Sequence, residues 1–284
     1  MNDGILLINK EAGLTSRNID NKIGHFYGTK KVGHLGTLDP FATGLLVIGI
    51  NKGTKFLQYL DDSRKTYIAE LKLGSKTSTG DLDGEIIEEK EVPSLSEKQI
   101  LDIFETFLGD SEQIPPMHSA IKIDGEPLYK KAHKGIEIER KPRKIHVFGL
   151  DLVSYKDGTL TFTADVSRGT YIRVLGEDIA KKLGTIGHLV SLKRTILGPF
   201  KVEDAISIND LKEDSIIDPS KYLTSFQSFE ITDEEDVTSV YDGVMVYVGE
   251  DLGERIVMTY KGKALAIYKK VQDTLTYKAE RGLF

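Results

Sequence analysis

Gly33-His34-Leu35-Gly36-Thr37-Leu38-Asp39-Pro40-Phe41-Ala42-Thr43-Gly44-Leu45-Leu46 is the most informative stretch of this chain. Its glycines let the backbone bend and approach a ligand closely. Pro40 fixes its own φ, suits the first position of a helix, and biases Asp39 away from helical geometry. The stretch therefore presents one carboxylate at a stiff corner, at the foot of an apolar segment. Taken alone, an Asp-Pro corner reads most simply as a helix N-cap, its carboxylate accepting from free backbone N–H groups. His34 alone reads as a hydrogen-bonded loop residue.

Working outward, Gly4 to Asn9 reads as a buried strand, and a turn at Ala12-Gly13 leads to a helix capped by Thr15 or Ser16 and running to about Phe26. Leu45 to Ile50 is a second apolar strand and Thr54 to Leu60 a short helix. Thr66 to Leu73 alternates apolar and polar residues, the period of a half-buried strand. Gly84 to Val92 is another strand, and Ser96-Glu97 opens a helix through Phe107. Ile145 to Tyr155 and Leu160 to Ser167 pair as antiparallel strands joined at Asp157-Gly158. Thr170 to Leu183 is a helix ended by Gly184. Strands dominate and helices fall between them without a βαβ rhythm. The fold class expected is α+β, a mixed and mainly antiparallel sheet with flanking helices. Val244 to Val248, Glu254 to Tyr260 and Ala264 to Lys270 form a small C-terminal β module. The expected division is a catalytic domain over 1–215 and the β module over 238–284.

At 284 residues the chain can bury a large core. It has no cysteine, which removes disulfides, thiolate metal sites and a thiol nucleophile. Met1-Asn2-Asp3-Gly4 lacks the regions of a signal peptide, and no apolar run reaches the roughly 20 residues of a membrane span. A soluble, cytoplasmic protein with no membrane contact is expected. The net charge of −6 looks unsuited to nucleic acid, yet its distribution is uneven. Residues 202–254 hold 15 acidic side chains against 2 basic ones, leaving 36 basic and 29 acidic elsewhere. Residues 113–147 carry 8 basic and 4 acidic, and 165–201 carry 7 and 3, so a local basic groove is compatible with the acidic sum.

The opening stretch resembles the signature of the TruB family of tRNA pseudouridine synthases, and further blocks follow in that family's order. Ile8-Asn9-Lys10-Glu11-Ala12-Gly13-Leu14-Thr15-Ser16 is similar to its opening block, with Glu11 where proline is usual. Lys65-Thr66-Tyr67-Ile68-Ala69 is similar to the block of its active-site tyrosine. Gly74 to Gly84 resembles its Thr-x-Thr-x-Asp-x-x-Gly element. Gln113-Ile114-Pro115-Pro116, Ser119-Ala120-Ile121-Lys122 and Tyr129-Lys130-Lys131-Ala132 resemble its RNA-gripping insertion, here about 113–144, with His133 in place of an arginine. Ser167-Arg168-Gly169-Thr170-Tyr171-Ile172-Arg173 and Leu192-Lys193-Arg194-Thr195 complete the set.

The resemblance implies a pseudouridine synthase fold with a short PUA-like module after it. It implies isomerisation of uridine 55 in the T-loop of tRNA, with folding assistance to tRNA as a further activity. Asp39 is then the catalytic carboxylate, Arg173 the cation that keeps it ionised through a bidentate fork, and Tyr67 the ring stacked on a flipped-out uracil. Leu192 is an apolar wall, His34 sits by displaced nucleotides, and Lys10 supports the Asp39 loop. Tyr171, Lys122 and Lys130 are counted with the substrate-binding residues. The chemistry needs no cofactor and no metal. The partner is the T-arm of tRNA, without a guide RNA, and a monomer is expected. Three competitors differ in class: an RNA chaperone without chemistry, a hydrolase, and a relative inside a guide-RNA particle. Glycoside hydrolysis generally uses two carboxylates across the scissile bond, and no second acid is evident in the sequence. Nucleotide-cofactor loops and a Gly-x-Ser-x-Gly elbow are absent.

Overall fold

The computed structural model describes residues 3–119, 121–123, 125–132 and 134–283, with only the backbone of 122 and 123. A nine-stranded sheet organises the chain up to residue 201. Its main path runs Gly4–Lys10, Thr43–Ile50, Gly187–Leu197, Arg64–Leu73, Thr159–Ser167, Arg143–Lys156, Gly109–Gln113. Val32–Leu35 and Phe200–Lys201 pair off this path. Every pairing in it is antiparallel except one, where Lys193 and Arg194 run parallel to Thr43 and Gly44. The sheet is mixed and mainly antiparallel, as the strand rhythm predicts.

Alternation explains why Ile5 to Ile8, within the strand Gly4–Lys10, is apolar throughout. Leu6 and Ile8 face a core shared with the helices Ser16–Phe26, Glu97–Glu105 and Ile172–Lys182, through Ile19, Ile23, Ile100, Phe104, Leu175 and Ile179. Ile5 and Leu7 point the other way, into a second core with Phe200, Val257, Ile267 and Leu283. A strand covered on both faces reads as a continuous apolar run.

Local signals act where expected. Thr15 caps the first helix, accepting from Asn18 N–H at 3.0 Å, and Ser96 caps the second through a capping box with Gln99. Asp157 and Gly158, both at positive φ, form the two-residue turn between their strands.

Three local readings are corrected. No helix follows Asp39: the chain turns back with Ala42 N–H donating to the Asp39 carbonyl at 3.1 Å, then enters the strand at Thr43. Pro40 rigidifies a loop here because the run Leu45–Ile50 is claimed by sheet partners on both sides. The short helix expected over 54–60 is a 3-10 turn at Asn51–Lys55. The second sheet, of five strands, begins at Gln227–Glu230, earlier than 238, because that strand pairs parallel with Arg255–Tyr260. Thr276–Gly282 is its other unforeseen strand, and Glu234–Tyr241 is a helix beside it.

Candidate active site

The loop between Val32–Leu35 and Thr43–Ile50 carries Asp39, and buried side chains from three elements fix it. Lys10, fully buried at the end of the first strand, donates from Nζ to the carbonyls of Leu14 (2.6 Å), Glu11 (3.0 Å) and Pro40 (3.1 Å). Ser16 Oγ accepts from Leu38 N–H at 2.9 Å and donates to Leu38 O at 3.2 Å. Arg194, also buried, donates from Nε to Leu45 O and from Nη2 to Gly36 O, both at 2.8 Å. The Gly13 N–H reaches Pro40 O at 2.9 Å, so the turn holds with Glu11 in place of proline. Burial brings the Lys10 ammonium down to about 8, opposed by the nearby Asp39 carboxylate.

Gly44 explains how the parallel contact can be so close. At φ +96°, a Cβ there would meet the Arg194 carbonyl oxygen at 2.3 Å, so only glycine fits.

Arg173 projects from the first turn of its helix and is 4 % exposed. Its Nε lies 2.9 Å from Asp39 Oδ2, an ion pair without the alignment of a hydrogen bond. Nη1 donates to Thr79 O at 2.8 Å and Nη2 to His118 O at 2.7 Å. Nη1 also stands 3.4 Å from Oδ2 of the buried Asp81. The guanidinium therefore does not clasp Asp39 bidentately, because backbone carbonyls occupy its terminal nitrogens. Nor does it hold the carboxyl in the ordinary range. Burial pushes the Asp39 carboxyl up; Arg173 opposes that shift and Asp81 adds to it. The side chain still keeps 35 % of its surface accessible, through the open side of a cleft whose walls displace most of its hydration.

That cleft, of about 320 Å³, contains Asp39, Tyr67, Tyr171, Arg173 and Leu192 together. Tyr67 comes from the central strand, opposite Ala164 on one side and Arg194 on the other. Tyr171 precedes the Arg173 helix and is clamped by Gln113, which accepts from its N–H at 2.7 Å and donates to its carbonyl at 3.1 Å. Burial pushes the Tyr171 phenol up. Ser119 and Ile121 of the 113–144 insertion also reach the wall.

Other predicted residues lie elsewhere. His34 turns from the cleft: its Nδ1 meets Oδ2 of buried Asp20 at 2.9 Å and its Nε2 meets Thr37 Oγ1 at 3.2 Å. Lys130 is exposed on the short helix Leu128–Ala132. The Lys122 side chain, Ala120 and His133 lie outside the described residues. The second acid not evident in the sequence is Asp81, brought near Asp39 by folding. It stands behind Arg173, outside the cleft lining, and also accepts from Thr79 Oγ1 at 2.6 Å. Such a carboxylate does not face a scissile bond as a hydrolase pair would.

Sequence reasoning missed the work of Ser16, Arg194 and Gln113, whose partners are backbone groups distant in the chain. Two of the basic residues counted toward a groove, Arg173 and Arg194, are buried in such contacts. Among the described residues, no three His, Asp or Glu side chains group as metal ligands, and no helix is long and apolar enough to cross a membrane.

Comparison with known proteins identifies the family. Residues 24–172 match the family model "TruB family pseudouridylate synthase (N terminal domain)", and residues 173–225 match "tRNA pseudouridylate synthase B C-terminal domain". The chain is 44 % identical over 227 residues to tRNA pseudouridine synthase B of Francisella philomiragia, covering 80 % of this chain and 75 % of that one. It is 45 % identical over 219 residues to the protein of that name from Hydrogenovibrio crunogenus, covering 76 % and 72 %. In fold it is similar to a chain of a Cbf5-Nop10-Gar1 complex, with TM-score 0.75 and 22 % identity, covering all of this chain and 85 % of the other. A chain of an archaeal box H/ACA Nop10-Cbf5 complex gives 0.72 and 21 %, covering all of this chain and 86 % of the other.

Proposed function

The chain belongs to the TruB family of pseudouridylate synthases and isomerises uridine to pseudouridine in tRNA, and from that premise we propose that Asp39 is its catalytic carboxylate and uridine 55 of the T-loop its target. One observation carries the reading: Asp39 is a carboxylate held rigidly in a cleft that also contains Tyr67, Leu192 and the buried Arg173.

The reaction breaks the bond between C1′ and N1, turns the uracil in place, and forms a bond from C1′ to C5. The proton leaves C5 and N1 is protonated, so the atoms balance without a donor or a redox step. A uridine in a folded T-loop must first be displaced from its stack, at a cost of a few kcal/mol. Tyr67 supplies a ring face for the displaced base, and its hydroxyl assists removal of the C5 proton. Leu192 excludes water from the opposite wall. Asp39 acts in its ionised form, by attack on C1′, addition to the base, or abstraction of a sugar proton. Arg173 orients that carboxylate and opposes the effect of burial on it.

Lys10 positions the loop through Pro40, and Tyr171 shapes the cleft. His34, Lys122 and Lys130 meet RNA beyond the displaced base. Residues 1–215 form the catalytic part, with 113–144 as an RNA-gripping insertion, and 238–284 form the core of the C-terminal module. The protein acts as a cytoplasmic monomer on the T-arm. The test is to incubate wild-type and Asp39→Asn protein with a T-arm hairpin and map pseudouridine by position. Product at position 55 from the wild type alone is expected. Substantial product from the variant would end the assignment of Asp39.

A further inference from the structure

Besides Arg173, the cleft lining holds two cations with unused donors. Arg194 gives Nε and Nη2 to the carbonyls of Leu45 and Gly36, and among the described residues Nη1 has no acceptor. Lys65 Nζ makes no hydrogen bond among the described residues, although its side chain is only 12 % exposed. Its nearest countercharge, Asp62 Oδ2, is 3.8 Å away, and Asp62 Oδ1 accepts from Arg168 Nη1 at 3.1 Å.

Both free donors converge on one point. A Cβ built on Gly36 would lie 3.3 Å from Arg194 Nη1 and 3.6 Å from Lys65 Nζ. Gly36 has no such atom, and Gly36, Lys65 and Arg194 all line the cleft that holds Asp39. The glycine thus leaves an opening between the buried Arg194 and the largely buried Lys65. A cation out of water with a distant or shared counter-ion is poorly compensated, and an anion that bridges two of them relieves that cost. Burial brings the Lys65 ammonium down to about 8; Asp62 opposes this, while Arg194 and Arg168 add to it. An arriving anion would act in the same direction as Asp62.

We propose that Lys65 and Arg194 form, across Gly36, an oxyanion subsite that takes a backbone phosphodiester adjoining the displaced uridine. This rests on reading the cleft as the uridine pocket. A nucleotide cannot enter such a cleft without bringing its two phosphates to the rim, and lysine and arginine donors suit phosphate oxygens. The contact positions the nucleotide and carries no base identity. Lys65 is therefore a positioning residue.

The experiment uses full-length unmodified tRNA. Pseudouridine formed by the wild type is first mapped, and tRNAs are then assembled with one neutral methylphosphonate on the 5′ or the 3′ side of the mapped uridine. Affinities are measured for wild-type, Lys65→Met and Lys65→Arg protein. One of the two methylphosphonates should weaken wild-type binding about tenfold and barely affect Lys65→Met. On unsubstituted tRNA, Lys65→Met should bind about tenfold more weakly, with a salt slope shallower by about one. Lys65→Arg should recover most of the loss. If neither methylphosphonate weakens the wild type, or if wild type and Lys65→Met lose affinity equally, the subsite is refuted. The wild-type titrations need no variant, so a folding defect in Lys65→Met does not mask the outcome. A mapped position other than 55 would refute the T-loop target while leaving the phosphate test intact.

Discussion

Arg173 approaches Asp39 with Nε at 2.9 Å while its two terminal nitrogens hold the backbone of Thr79 and His118. The arginine is thus fixed by the main chain independently of the carboxylate it faces. Lysine keeps the charge but cannot make three directed contacts from one compact head. Arg173→Lys should therefore lower the single-turnover rate about 100-fold while changing tRNA affinity by less than about threefold. Rapid-quench kinetics beside a filter-binding titration separates the two quantities. A variant with wild-type rate would show that charge alone suffices.

The pH dependence should report on Asp39. Burial raises its carboxyl, with Asp81 adding to the shift, so the ionised form is lost on acidification at a higher pH than for an ordinary aspartate. The acid limb of the single-turnover rate should accordingly lie above the usual value of about 4. Asp81→Asn removes a neighbouring negative charge and leaves an amide oxygen for the Thr79 hydroxyl and the Asp83 N–H. That change should move the limb to lower pH. Rates measured from about pH 4 to 8 test the sign; a limb moving upward contradicts it.

Lys10 ties Pro40 to Leu14 and Glu11 through one ammonium. Lys10→Met keeps the volume of the stem but leaves those carbonyls without their donor. Urea unfolding should show a loss of about 2 kcal/mol. Because the unsupported loop also carries Asp39, kcat should fall more than KM rises. Equal stability with normal kcat would mean that Lys10 does not govern the loop.

Gly44→Ala places a methyl group 2.3 Å from the Arg194 carbonyl at a φ of +96°. The parallel contact between Thr43-Gly44 and Lys193-Arg194 must then open. A destabilisation above about 3 kcal/mol is expected, seen as a large drop in melting temperature or as insoluble protein. Gly13→Ala is a useful comparison. It also sits at positive φ, but its Cβ meets nothing within 4 Å, so the cost should be backbone strain alone, about 1 kcal/mol.

Capping residues, turns and apolar alternation made most elements legible, since each is decided within a few residues. Thr15, Ser96 and Asp157-Gly158 act as their local chemistry requires. The Asp39-Pro40 corner was misleading for the same reason. Its local chemistry fits a helix start, but pairing of Thr43–Ile50 with the strands beside it outweighs that preference. The acidic linker gave no hint that Gln227–Glu230 joins the second sheet, because a parallel partner 29 residues further on is invisible to periodicity.

The blocks around Lys10, Asp39, Tyr67 and Arg173 by themselves determined the family, and with it the reaction, because their residue types recur in fixed order along the chain. The tertiary structure alone decided how Asp39 is held. Lys10, Ser16 and Arg194 act on main-chain carbonyl and amide groups, which carry no sequence signal. It also decided that Arg173 divides its fork among three partners, that Asp81 stands behind it, and that Lys65 and Arg194 meet over Gly36. Each depends on distances between segments far apart in the chain, which only the completed sheet sets.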